Sequence, residues 1–518
     1  MKSDSGQTTS IWMASAEEIP SDGSLTEDTH ADVCIVGAGI AGMTTAYLLA
    51  REGKRVVVLD DGPIGGGMTS RTTAHLVNAL DDRFYELERL HGEKGARLAA
   101  ESHSTAIDRV EKIVKEESID CEFERLDGYL FVPPDELKEQ LEDELKATHR
   151  AGLTGVEMVE RAPIEDFDTG KCLRFPHQAQ FHPLKYLAGL ARAIRRDGGR
   201  IFTETHASLI EGGKSARIET NGGHVVTCDA VVVATNTPVI DRFAIHTKQG
   251  PYITYVIGAR IPTGSVARAL FWDTPDPYHY IRVESITAKI KGTGETEVYD
   301  LLIVGGEDHK TGQKDDAGRR FAALERWTRT RFPMIQGVEF QWSGQVMEPV
   351  DALAFIGRNP MDEDNVFIAT GDSGNGMTHG TIAGILLTDL IMGRKNEWAA
   401  LYDPTRKTLR ALPEFARENL NVAAQYADYM TGGDVDSADE IKPNDGAIIR
   451  HGLKKVAAYR DASGTLHERS AVCAHLGCIV DWNSKEKTWD CPCHGSRYDA
   501  YGKVFQGPAN RNLDSVDE

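Results

Sequence analysis

The stretch Asp32-Val-Cys-Ile-Val-Gly37-Ala-Gly39-Ile-Ala-Gly42 constrains the fold of this chain more than any other. A short apolar run ends in a glycine turn, and a helical pattern follows through Ala46, Leu48 and Leu49 to Gly53. Arg55-Val-Val-Val-Leu59 then supplies a second strand ending at Asp60. Strand, turn, helix and strand within about 30 residues predict a parallel βαβ unit. The glycines differ in what they permit. Gly37 makes the tight turn, Gly39 lets a pyrophosphate approach the backbone, and Gly42 lets the helix pack closely on the strand. Ile40 and Ala41 lie at the helix N-terminus, whose N–H groups and dipole attract phosphate. Asp60, eighteen residues after Gly42, is placed to accept from a ribose hydroxyl. A lone glycine triplet would say little, but with both strands and the acid present it predicts a dinucleotide site.

Two further segments bear on which dinucleotide. Gly65-Gly-Gly-Met-Thr69-Ser70-Arg71-Thr72-Thr73-Ala74-His75 is a second loop rich in Gly, Ser and Thr. Downstream, Asn365 to Gly380 again runs strand, glycine loop and apolar helix, continuing through Ile382, Ile385, Leu386 and Leu390. These features resemble the FAD-dependent oxidoreductases of the D-amino-acid oxidase type, a family that includes glycine and sarcosine oxidases. The resemblance implies FAD as cofactor, with Thr69, Ser70, Arg71, Thr72, Thr73 and Ala74 in a loop that wraps the flavin. It implies that the late loop, with Gly371, Gly374, Gly376, Met377 and Thr378, aims a helix N-terminus at the flavin N1/C2=O edge. There the dipole favours the anion of reduced FAD. It also implies cofactor contacts at Ala207, beside the adenine, and at Ala234, which ends the sheet strand Ala230–Ala234. Trp342–Asp351 and Ile356-Gly357 match the family segment that precedes the late loop. Some relatives attach FAD through a His or Cys; the aligned position is Thr72, with His75 nearby, so non-covalent FAD is expected.

The C-terminal part carries a second kind of chemistry in Cys473-Ala-His475-Leu-Gly-Cys478 and Cys491-Pro-Cys493-His494-Gly-Ser496. Cys-x-His followed by Cys-x-x-His suits a [2Fe-2S] centre in which two thiolates hold one iron and two imidazoles the other. Neutral imidazole leaves the cluster less negative than four thiolates would, which raises its potential to about −150 to +300 mV. A structural zinc site is the alternative. Zinc motifs, however, rarely place Cys and His one residue apart, and they do not call for Cys478 and Cys493. The stretch resembles the Rieske family. That resemblance implies Cys473 and Cys491 on the inner iron, His475 and His494 on the exposed iron, and a disulfide between Cys478 and Cys493. It also implies Ser496 and Tyr498 as hydroxyl donors to cluster sulfurs, Gly507-Pro508 as a covering loop, and a cluster at the surface near the flavin domain.

With 518 residues the chain is too long for one core. The expected fold class is an α/β Rossmann-like FAD-binding domain with an α+β substrate domain, followed by a small all-β Rieske domain. The expected boundaries are 1–30 for an N-terminal extension, 31–400 for the oxidoreductase, 401–442 for a helical connector and 443–518 for the Rieske domain. Within the oxidoreductase, FAD-binding pieces fall at 31–115, 181–244 and 341–400, and substrate pieces at 116–180 and 245–340. A net charge of −21 argues against nucleic acid and anionic membrane as partners. No run of eighteen apolar residues exists to span a bilayer. Met1 to His30 is rich in Ser, Thr, Asp and Glu, which is unlike a secretory signal. Cys34, Cys121, Cys172 and Cys228 are scattered, as expected of thiols in a reducing cytoplasm.

Candidates for chemistry on a substrate are fewer. On a strand, Tyr278, Tyr280 and Arg282 share one face, where two phenols could pack an amine's carbon skeleton and Arg282 clamp a carboxylate. A half-exposed sheet surface has the same pattern. Gly305–Gly312, with His309, reads as a solvated turn or as a border of the active site. His177 and His182 have the spacing of an oxygenase iron site, but Arg174 stands where the acidic ligand belongs. The expected function is oxidation of a small amine or amino acid, with electrons passing from FAD to the Rieske cluster and on to an external one-electron acceptor. The alternatives are a relay running from the cluster into FAD, and a non-enzymatic redox sensor.

Overall fold

Val33–Val36 and Val56–Leu59 are apolar on both faces, as strands covered on both sides must be. In the computed structural model, which describes residues 5–132, 139–240, 244–289, 296–452 and 454–516, they form the centre of a parallel sheet. Its order is Phe355–Arg358, Val366–Thr370, Val225–Val233, Thr29–Val36, Val56–Leu59 and Arg200–Phe202, with the first of these antiparallel. The hairpin Ala207–Glu211 and Ala216–Thr220 is attached through Val225–Val233. The crossover helix Ile40–Arg51 packs with helices Pro183–Arg196 and Gly376–Ile391 on the face that carries Val33 and Ile35. The opposite face packs with Leu25, Phe202, Ile218 and Ile245. Each such buried aliphatic side chain contributes about 1.5–3 kcal/mol.

A second sheet joins distant parts of the chain. Its order is Gly337–Pro349, Gln249–Ile261, Thr296–Lys310, His279–Lys289, Leu270–Asp273, Glu124–Phe131, Cys172–Gln180 and His75–Leu76. Gly305–Gly312 is therefore largely strand rather than turn, because Val304, Gly305 and Gly306 pair with Ile281, Tyr280 and His279. His182 caps the helix Pro183–Arg196 through Nδ1, which accepts from Lys185 N at 3.3 Å, while His177 is exposed. The two imidazoles thus serve different surroundings and form no joint iron site.

The connector contains the helix Leu412–Gln425, and the remaining chain forms two small sheets. One contains Asp445–His451, Lys454–Arg460 and Leu466–Ser470; the other contains Asp481–Asn483, Thr488–Asp490, Arg497–Asp499 and Val504–Gln506. Trp482, Trp489 and Tyr498 fill the core of this unit around the cysteine loops. No described helix is long and apolar enough to cross a membrane.

The N-terminal segment is a packed strap, a role its polar composition did not reveal. Ser10 caps the helix Ile11–Ser15 and donates from Oγ to Ser70 O at 2.6 Å. Trp12, fully buried, donates from Nε1 to Thr72 O at 2.6 Å. Trp342 donates to Arg71 O at 2.9 Å. Carbonyls in a buried irregular loop need such partners.

Candidate active site and cluster loops

At the carboxyl ends of the parallel strands, the glycine loops enclose a long cavity. Gly37, Gly39, Ile40, Ala41, Asp60, Thr69, Arg71, Thr72, Thr73, Ala207, Ala234, Gly371, Gly374, Gly376 and Met377 line it. Gly42, Ser70, Ala74 and Thr378 stand behind its wall. A Cβ on Gly42 would collide with Gly37 O, so this glycine serves helix–strand packing. Ser70 donates to Gly67 O at 2.9 Å, and Thr378 to Val77 O at 3.3 Å. Ala74 has a φ of 59° and presents its carbonyl to Arg282 at 3.2 Å.

The lining fits a dinucleotide. Gly37 has a φ of 109°, and a Cβ there would strike Ala234 O, so the turn closes only without a side chain. The helices Ile40–Arg51 and Gly376–Ile391 both begin at the cavity wall, and neither N-cap residue makes a side-chain capping bond. Such N-termini are ready for phosphate oxygens at one end of FAD and for the flavin's electron-rich edge at the other. Asp60 lines the cavity while accepting from Ala38 N at 2.6 Å and Gly62 N at 2.8 Å. His75 faces the same space; burial pulls its pKa down to about 3, so it is neutral.

Away from the phosphate loops, the wall is built by Trp272, Tyr278, Tyr280, Thr254, Asp81 and Asp308. Tyr278 donates to Asp81 Oδ2 at 3.2 Å, and Tyr280 and Thr254 share a hydrogen bond of 2.6 Å. Arg282 does not join them. Fully buried, it pairs with Glu284 and donates to Thr73 O at 3.1 Å, Ala74 O at 3.2 Å and Phe181 O at 3.4 Å. It supports the flavin loop from behind, which corrects its expected use as a carboxylate clamp. His309 is also corrected. Strand alternation turns Asp308 into the cavity and His309 to the opposite face, where it meets Tyr255 OH at 3.1 Å and lies 3.8 Å from Asp316. Asp308 lies in the segment Gly305–Gly312 that the sequence offered as a border of the active site, whereas Asp81, Trp272 and Thr254 were missed, since nothing in their local sequence marks a shared wall.

The cysteine loops repeat one turn. Cys473 N donates to Cys478 O at 2.8 Å and Cys491 N to Ser496 O at 2.8 Å, with φ values of 81° at Gly477 and 82° at Gly495. Cys478 and Cys493 are joined in a disulfide, and their Cα atoms lie 6.4 Å apart. The rings of His475 and His494 lie 5.1 Å apart. His494 Nδ1 is buried with no hydrogen-bond partner among the described residues, as suits an imidazole next to a metal site. Together with the buried thiols of Cys473 and Cys491, these donors fit a [2Fe-2S] cluster. Tyr498 OH lies 3.2 Å from Cys473 Sγ, and Ser496 Oγ accepts from Ala509 N at 3.0 Å. Since a donor to sulfur favours the more negative, reduced cluster, Tyr498→Phe is expected to lower the cluster potential by about 60 mV. A redox titration followed by electron paramagnetic resonance measures it; an unchanged potential would remove Tyr498 from this role.

The cluster histidines turn inward rather than to open surface. His246, just ahead of the strand Gln249–Ile261, stacks edge-on to His475 at 4.8 Å and lies 5.9 Å from His494. A Cβ on Gly495 would approach Pro251 Cβ to 2.5 Å and Gln345 Nε2 to 2.6 Å, so this loop is pressed onto the second sheet. Gln345, in the cavity wall, donates from Nε2 to Gly495 O at 2.9 Å. The strand Val504–Gln506 and the loop after it also line the cavity, where Asn510 donates to Ala207 O at 3.0 Å.

His206 ties the same loop down, 3.2 Å from both Asp61 Oδ2 and Asn510 O. The Asp61 carboxylate raises its pKa above the ordinary 6.5. Protonation is therefore more favourable folded than unfolded. The stabilisation is complete below pH 6.5 and lost as pH rises through the higher folded value. Hydrogen exchange of Val504–Asn510, corrected for intrinsic rates, is expected to quicken across that interval; His206→Gln should abolish the pH dependence.

Comparisons with known proteins agree with both sites. Residues 32–390 match the FAD dependent oxidoreductase (DAO) family, and residues 433–517 match the Rieske [2Fe-2S] domain. A Rieske 2Fe-2S iron-sulfur protein, YhfW of Bacillus subtilis, is 31% identical over 98% of this chain and 97% of its own. Gamma-glutamylputrescine oxidoreductase of Escherichia coli is 28% identical over 78% of this chain and 95% of its own. The glycine oxidase structure from Geobacillus kaustophilus superposes with a TM-score of 0.60 at 19% identity, covering 73% of this chain and 99% of that one. At that identity the likeness shows a shared fold.

Proposed function

We propose that this chain, which belongs to the FAD-dependent oxidoreductase family and carries a C-terminal Rieske [2Fe-2S] domain, oxidises a small amine or amino acid in the cytoplasm and sends the electrons through its cluster to an external one-electron acceptor. FAD supplies two-electron acceptance, and the cluster supplies one-electron steps. One substrate therefore serves two acceptor turnovers.

The residues divide the work. The N-termini at Gly39–Ala41 and Gly376–Met377 would hold the pyrophosphate and the flavin edge. Cys473, Cys491, His475 and His494 would hold the two irons. Tyr278, Tyr280 and Trp272 would exclude water from the substrate. The observation that carries the reading is Gln345, which lines the flavin cavity while its side chain donates to the carbonyl of Gly495, next to His494. Through Gly495 and Gln506, Gln345 thus ties the cavity wall to the cluster domain. The similar Escherichia coli protein, a gamma-glutamylputrescine oxidoreductase, supports an amine among the substrates.

Anaerobic stopped-flow mixing with amines and amino acids tests the proposal. Flavin bleaching should precede cluster bleaching in the same molecule. Cluster reduction ahead of the flavin would favour the reverse relay, and no reduction by any member of the panel would defeat the enzymatic reading.

A further inference from the structure

We propose that the substrate is a basic amine without a neighbouring carboxylate, bound as a cation between Asp81 and Asp308 and against the rings of Trp272, Tyr278 and Tyr280. The inference rests on the oxidoreductase reading and narrows its substrate class.

Both carboxylates belong to the cavity wall. Asp81 accepts from Tyr278 OH at 3.2 Å and sits so close to Gly374 that a Cβ there would meet its Oδ2. Asp308 Oδ1 is buried with no hydrogen-bond partner among the described residues. Leaving a carboxylate oxygen in that condition is costly, and a bound ammonium removes the cost. Burial, against a hydrogen bond from Thr254 and with Asp81 and Asp276 outweighing the charge of Arg320, pushes Asp308 up to about 7; burial pushes Asp81 up to about 6 against Arg83 and Tyr278. A cation between them would restore both charges.

The nearby guanidinium groups are committed elsewhere. Arg83 donates to Leu80 O and Asp273 O, while Arg320 donates to Asp316 and to the backbone of Glu307 and Asp308. Behind Asp81, Ser373 Oγ lies 2.9 Å from both Asp82 and Glu348, adding further acidic groups. The rings of Tyr278 and Tyr280, 5.6 Å apart, both belong to this wall and supply aromatic surface on which a cation can pack.

A substrate carboxylate, by contrast, meets no arginine or lysine beside Asp81 and Asp308 among the described lining residues. Among the described lining residues the one arginine or lysine is Arg71, and its guanidinium is bound to Ser5, Thr8, Ser343 O and Glu486. Arg282 is enclosed with Glu284. A carboxylate beside Asp81 and Asp308 would be repelled.

The test uses protein loaded with FAD and cluster, probed with 1,4-diaminobutane, glycine and L-proline. Calorimetry reads binding and anaerobic stopped-flow reads flavin bleaching. The diamine should bind and bleach, each amino acid at least tenfold less well. Asp308→Asn and Asp81→Asn should each weaken diamine binding about tenfold or more, with FAD content and cluster spectrum retained. Amino acids bleaching the flavin while the diamine does not bind would overturn the cation class but leave the oxidoreductase standing. Failure of all three probes in both measurements would overturn the cation class and leave the oxidoreductase reading to the wider panel of amines and amino acids. Parental diamine affinity in both variants would refute the assigned carboxylates.

Discussion

Replacing His494 with alanine is expected to remove iron and acid-labile sulfur, and the cluster's visible spectrum with them, while FAD content stays at the parental level. The ring is 6% exposed and its Nδ1 makes no hydrogen bond among the described residues, so the side chain has little structural work apart from a metal. Even residues that merely support a metal ligand are worth about 10–100-fold in affinity, so losing a ligand should cost at least 100-fold. Metal analysis and electron paramagnetic resonance after reduction read the outcome. Substrate should still bleach the flavin, because the glycine loops that border the cavity do not depend on this imidazole. Parental iron and sulfur in the variant would refute the ligand assignment.

The second large effect concerns the seam between the oxidoreductase and the Rieske unit. Arg71 and Glu486 are both fully buried, 3.4 Å apart, and share Thr8 from the N-terminal strap. Ser343 donates to Glu486 at 2.6 Å, and Arg71 donates to Ser343 O at 2.8 Å. Burial pushes the Glu486 carboxyl up, but Arg71 and Arg497 outweigh it and hold the group below its usual range. Arg71→Met leaves a buried carboxylate without its ion-pair partner, with Arg497 engaged by Asp490, and should cost about 3–5 kcal/mol. Denaturant unfolding, with limited proteolysis to locate what loosens, measures this loss. The double variant Arg71→Met/Glu486→Leu should lose less than the two single losses added together, since no uncompensated charge remains. Additive losses would mean that the ion pair does not couple the units.

What was legible in the sequence was local. The turn at Gly37, the helix after Gly39, the strand to Asp60, and the paired cysteine loops each rest on chemistry within a few residues, and each has the expected local form. Tyr278 and Tyr280 could be placed on one strand face because alternation is also local. Arg282 and His309 could not be resolved in the same way. Whether a charged residue on a strand faces a cavity or a buried partner depends on Thr73, Ala74, Glu284 and Tyr255, which other segments bring to it. The N-terminal strap looked like a polar extension because its contacts, Ser10 on Ser70 and Trp12 on Thr72, exist after the flavin loop has folded against it.

Spacing thus pointed to a dinucleotide site and a Cys/His metal centre and to their order along the chain, with FAD and the Rieske ligand set implied by family resemblance, because a glycine turn and a metal-ligand loop each recruit their groups from adjacent residues. Tertiary structure decided which way the cluster faces, which acids meet in the cavity and which arginines are withdrawn from it. Those outcomes follow from packing between segments hundreds of residues apart, such as Arg71 against Glu486 and Gln345 against Gly495, and burial then sets the charge each group can carry.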